Sequence, residues 1–141
     1  MTGILIVTHG KMADGIMDSL ELIMGKQQNY HTLSLCHGDD INLFADQIQE
    51  QIKKLDKGNG VLVMADLFSA SPYNQTAMSF KKLEGHNYRL ISGVNLPMVI
   101  EAFNQRMLGI VLDNMYKNVM QAGKEGIKEF FEELTSVQAK K

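Results

Sequence analysis

The 141-residue chain has a single cysteine, Cys36, so no internal disulfide can form. It has no large excess of either charge: 14 Lys and Arg stand against 16 Asp and Glu, for a formal net charge of -2. No basic cluster precedes Lys140-Lys141. Such a surface offers no field for polyanions, and no nucleic-acid partner is expected. No apolar run approaches the roughly 20 residues of a membrane-spanning helix, and no signal-peptide pattern opens the chain. A cytoplasmic location is therefore expected, with any membrane role exercised through a partner. At 45% hydrophobic residues the chain can build one core, and one domain over residues 1–141 is expected.

What the chain does have is a regular alternation. Ile4-Leu5-Ile6-Val7 is an unbroken apolar run, which predicts a strand buried on both faces, and it ends in the polar turn Thr8-His9-Gly10. Met12, Ile16, Met17, Leu20, Ile23 and Met24 then recur at helical spacing, with Gly25 as the stop. A second strand is expected over 30–35. Asp39 and Asp40 can cap the helix marked by Ile41, Phe44, Ile48, Ile52 and Leu55. Val61 to Ala65 predicts a third strand stopped by Asp66, and Ser71-Pro72 a helix start with Ser71 as the capping hydroxyl and proline at the first helical position.

Tyr88 to Ser92 predicts a fourth strand. Asn95-Leu96-Pro97 opens a helix through Phe103, and Leu112, Met115, Val119 and Met120 mark another ending at Gly123. The segment from Gly126 onward fits a helix through Ile127, Phe130, Phe131 and Leu134, although its glycines permit an extended start. Strands separated by helices predict a doubly wound α/β fold, a mostly parallel sheet in the order 2-1-3-4 with helices on both faces.

In such a sheet, chemistry gathers at the carboxyl ends of the strands beside the switch point, where strands one and three are neighbours. His9 and Asp66 both stand just past those ends. An aspartate accepting from one ring nitrogen would orient the imidazole, stabilise the cation formed on attack, and leave the other nitrogen as a nucleophile. The helix opened by Ser71 would present unpaired N–H groups and a positive dipole end to an anion such as a phosphoryl group. Thr8 and Gly10, flanking the histidine, are further candidate phosphate contacts. Cys36 and His37 lack further ligands at zinc-type spacing and are more simply turn residues. No metal is expected, and His31 and His86 are expected as surface residues.

Three segments, Thr8-His9-Gly10, Asp66 with Ser71-Pro72-Tyr73-Asn74 behind it, and Gly93-Val94-Asn95-Leu96-Pro97-Met98, resemble in order and spacing those of the mannose-type IIA components (EIIA) of the sugar phosphotransferase system (PTS). The resemblance runs from the first strand to about Gly126. It implies a phosphotransferase component in which His9 takes a phosphoryl group from the histidine-containing phosphocarrier protein (HPr) and passes it to a IIB component, with Asp66 as hydrogen-bonding partner. It also implies indirect membrane association through IIC and IID components, no cofactor, and a homodimer exchanging a late antiparallel edge strand. Where the mannose transporter has threonine, tryptophan and two glycines after the aspartate, this chain has Leu67-Phe68-Ser69-Ala70. Glu129-Phe130-Phe131-Glu132-Glu133 reads poorly as the exchanged strand.

Related architectures support other functions. A receiver-type signalling domain would take phosphate on Asp66 but needs an acidic pair after strand one. A histidine phosphatase would have arginine where Thr8 stands, and several more around the phosphate. The phosphotransfer subunit of a dihydroxyacetone kinase typically has serine in the place of Gly10.

Overall fold

The structure is a computed structural model, and it describes residues 1–139; Lys140 and Lys141 lie outside the described residues. Four strands, β1 (Gly3–His9), β2 (Tyr30–Leu35), β3 (Val61–Ala65) and β4 (Tyr88–Ile91), form one parallel sheet in the order β2-β1-β3-β4. Between and after them run α1 (Met12–Met24), α2 (Ile41–Leu55), α3 (Ser71–Met78), α4 (Leu96–Met107), α5 (Leu112–Glu125) and α6 (Phe130–Ala139). A 3-10 turn over Ser79–Leu83 follows α3.

Side chains alternate across a strand, so the apolar runs of β1 and β3 serve two cores at once. Ile4, Ile6, Leu62 and Met64 face α1, α4 and α5, packing on Leu20, Val99, Phe103 and Met115. Leu5, Val7, Val61, Val63 and Ala65 face the other way, onto Phe44, Ile48, Ile52 and Leu55 of α2. All of these β1 and β3 residues are fully buried, at about 1.5–3 kcal/mol for each large aliphatic side chain. The stacking fixes the parallel register, in which Val7 pairs with Ala65. Carried one step further, that register brings the residues after both strands to the same level at the crevice.

Three expectations change. Ser71 is not the helix cap: Ala70 is, with extended backbone and no capping side chain, and Ser71 is already the first helical residue. The loop after Asp66 is a residue shorter than the cap pattern implied, because its turn over Leu67 to Ala70 runs straight into the helix. Gly123 does not stop its helix, which continues to Glu125; a Cβ there would lie 2.4 Å from Met98 Cγ, so the glycine lets α5 approach α4. The extra antiparallel edge strand does not form among the described residues. Phe130–Ala139 is helix, with Glu132 and Glu133 at its positive end and the Glu129 carboxylate accepting the Glu132 N–H at 2.8 Å. Its apolar residues Phe130, Phe131 and Val137 are exposed.

Candidate functional site

The crevice at the carboxyl ends of β1 and β3 holds the two residues that the pattern brings there. His9 Nδ1 lies 2.8 Å from Asp66 Oδ2, and the same oxygen accepts the His9 backbone N–H at 2.9 Å. The other carboxylate oxygen, Oδ1, accepts the Leu67 N–H at 2.9 Å. Burial pushes the Asp66 carboxyl up, but the bonds from the His9 amide and ring outweigh it, and the group is held below the usual carboxylate range. An ionised carboxylate only accepts, so Nδ1 carries a proton, and in the neutral ring the lone pair is left on Nε2. The His9 side chain is 49% exposed and that of Asp66 11%. The base is therefore open to a partner while its support is shielded.

The turn carrying His9 is built by its neighbours. Thr8 is fully buried, and its hydroxyl accepts the Ala13 N–H at 3.0 Å, one of the orphan donors at the start of α1. Gly10 has φ +56, and its N–H donates to the Leu35 carbonyl at 2.8 Å. Thr8 as an acceptor and Gly10 as a donor both hold the turn that carries His9. Ser71, at the start of α3, is half-buried and makes no side-chain cap bond; its helix is short, and Pro72 supplies no N–H there.

The loop from Asp66 to α3 is held by a residue of α3 that sequence reasoning passed over. Asn74 Nδ2 donates to the Ser69 carbonyl at 2.9 Å, and Ser69 has φ +63, in the left-handed region. Phe68 packs on Tyr73 with ring centroids 5.0 Å apart. Asn74 was visible only as part of a motif; nothing in its spacing pointed to the carbonyl it holds.

At the opposite end of the sheet stands a second pair. His86 Nδ1 lies 2.9 Å from Asp56 Oδ2, while Asp56 Oδ1 accepts the N–H groups of Gly58 and Gly60. His86 is thus a partly buried tie between two loops rather than a free surface residue. Burial raises the Asp56 carboxyl, and the His86 and glycine bonds more than reverse it, leaving it below its ordinary value. His31 is also half-buried, and burial first, then Lys54, lowers its pKa. Among the described residues no group of three or more His, Cys, Asp or Glu side chains is placed to hold a metal ion. No helix among them is long and apolar enough to cross a membrane.

Fold and site together define a doubly wound α/β domain with a carboxylate-supported imidazole at its switch point. Residues 3–120 match the family described as the PTS system fructose IIA component. The chain is 30% identical over 125 residues to the PTS system mannose-specific EIIAB component of Escherichia coli, covering 89% of this chain and 38% of that protein. It is 23% identical over 137 residues to the PTS system fructose-specific EIIA component of Bacillus subtilis, covering 97% of this chain and 92% of that one. A phosphotransferase system component EIIA from Streptococcus agalactiae superposes with a TM-score of 0.86 at 30% identity, over 94% of this chain and 99% of that one. The chain belongs to the mannose/fructose family of PTS IIA components. It spans well under half of the mannose-specific relative.

Proposed function

We propose that this IIA component carries a phosphoryl group on His9, accepting it from HPr and passing it to a IIB component. The observation that carries the reading is the Asp66 carboxylate on His9 Nδ1, with half of the histidine side chain open to a partner. In the first step the Nε2 lone pair forms a bond to phosphorus as the donor's N–P bond breaks, and the donor imidazole recovers the electron pair. The Nδ1 proton stays between ring and carboxylate, which stabilises the positive charge growing on His9. The second step reverses the first on the acceptor. The imidazole is itself the nucleophile, so the two steps ask for no metal or organic cofactor.

Taking phosphate on Asp66 is disfavoured by the same geometry, since its oxygens already accept three N–H groups. Function as a homodimer, in the cytoplasm and beside the membrane components, accompanies this reading by family membership. The test is the complete relay. Labelled protein prepared from phosphorylated HPr should lose its label to a IIB domain of this family on mixing. Label that enters but does not pass on would contradict the relay.

A further inference from the structure

We propose that Asn74 is a positioning residue, whose side-chain amide holds the left-handed turn after Asp66 and thereby keeps the Asp66 carboxylate on His9. The proposal rests on the phosphocarrier reading of the His9 site and extends it to a residue outside the crevice. Leu67 to Ala70 forms a turn closed by a long Ala70 N–H to Leu67 carbonyl bond of 3.4 Å. Its third residue, Ser69, has φ +63, the conformation at which such turns favour glycine because a Cβ is crowded there. A serine in that place needs something to hold it, and a 3.4 Å bond is too weak to do so alone.

Asn74 supplies the hold twice. Its backbone N–H reaches the Ala70 carbonyl at 2.8 Å, and its side chain reaches back to the Ser69 carbonyl at 2.9 Å. The first is an ordinary helical bond that any residue but proline would make. The second depends on a donating side chain of this length. It fixes the peptide between Ser69 and Ala70, and the turn leads back directly to Leu67, whose N–H lies on Asp66 Oδ1. A turn that relaxes out of the left-handed region would swing the Leu67 N–H and turn the carboxylate away from the His9 ring. Ser69 itself is exposed and makes no other contribution that the geometry requires.

The hold can be separated from general stability, because glycine at position 69 adopts the left-handed turn without help. In Asn74→Ala, kcat for phosphoryl acceptance should fall on the order of tenfold at full folding, since small displacements of reacting groups are costly. KM for HPr should stay within about twofold, Asn74 being behind the loop rather than at its rim. Adding Ser69→Gly to Asn74→Ala should restore the rate to near that of Ser69→Gly alone. In unphosphorylated protein, ring 15N shifts should report the Nδ1-protonated form of His9 in the native chain, a tautomer mixture in Asn74→Ala, and recovery in the double variant.

If native protein accepts no phosphoryl group from HPr, the phosphocarrier reading fails, and the ring shifts still decide the role of Asn74. Unchanged shifts or an unchanged rate in Asn74→Ala would overturn the proposal. So would a double variant as impaired as Asn74→Ala.

Discussion

One oxygen of Asp66, Oδ2, accepts both the backbone N–H and the Nδ1–H of His9. The residue proposed to carry the phosphoryl group is therefore held by its main chain and its ring at a single point. That double hold ties the tautomer of the imidazole to the position of β1 relative to β3, so any change in the carboxylate should appear in chemistry before it appears in folding.

Replacing Asp66 by Asn keeps the shape but puts an N–H₂ group against one of the N–H donors the carboxylate now accepts. Phosphoryl transfer should slow on the order of a hundredfold or more, the effect of losing a preorganised electrostatic partner. Single-turnover rates checked against a native circular dichroism spectrum measure it. Near-native transfer would mean that the carboxylate does not support the reaction.

Ser71 starts α3 without capping it, so Ser71→Ala should change stability by less than about 0.5 kcal/mol, instead of the roughly 1 kcal/mol of a lost cap. Transfer is the informative reading. Ser71→Asp sets a negative charge where the incoming phosphoryl would meet the helix end, and should slow acceptance more than Ser71→Ala does. Equal rates in both variants would remove this helix end from the phosphate site.

The carboxyls of Asp56 and Asp66 both lie below their ordinary values in the folded protein. Each contributes stability that is present above the unfolded carboxyl pKa of about 3.9 and is lost as pH falls through the lower folded value. Urea midpoints should therefore drop below about pH 4, and Asp56→Asn should make that acid limb shallower. At neutral pH the same variant should lose about 1–3 kcal/mol, the cost of breaking charged hydrogen bonds at a shielded site, with transfer through His9 unaffected. An acid limb of unchanged slope would show that Asp56 is not held down.

Gly123→Ala sets two effects against each other. Helix propensity favours alanine by about 1 kcal/mol, whereas the added Cβ would meet the buried Met98 side chain at 2.4 Å, an overpacking cost of about 1–3 kcal/mol. Contact should win, and thermal melting should show a net loss. A gain in melting temperature would mean that α4 and α5 have room to part.

Much of this architecture was legible in the chain. The apolar runs at Ile4–Val7 and Val61–Ala65 announce strands buried on two faces because nothing polar interrupts them, and the first polar residues after them mark the crevice. That is why His9 and Asp66 could be paired from sequence. Side chains whose partners are set by loop conformation could not be read this way. Asn74 finds a carbonyl only because Ser69 is left-handed, and His86 finds Asp56 across 30 residues with no periodicity between them. Ser71 missed its cap because turn length, unlike strand length, leaves little trace in hydrophobic pattern. At Gly123 a contact glycine looks like a stop until the neighbouring helix is in place.

The central claim is that His9 bears the phosphoryl group, and the most direct test is the chemistry and position of the bond formed when the protein is phosphorylated by HPr. The label should sit on His9 Nε2, survive alkali, fall to acid, and vanish in His9→Gln. Label that persists in His9→Gln, or that is lost in alkali and to hydroxylamine as an acyl phosphate on Asp66 would be, contradicts the account.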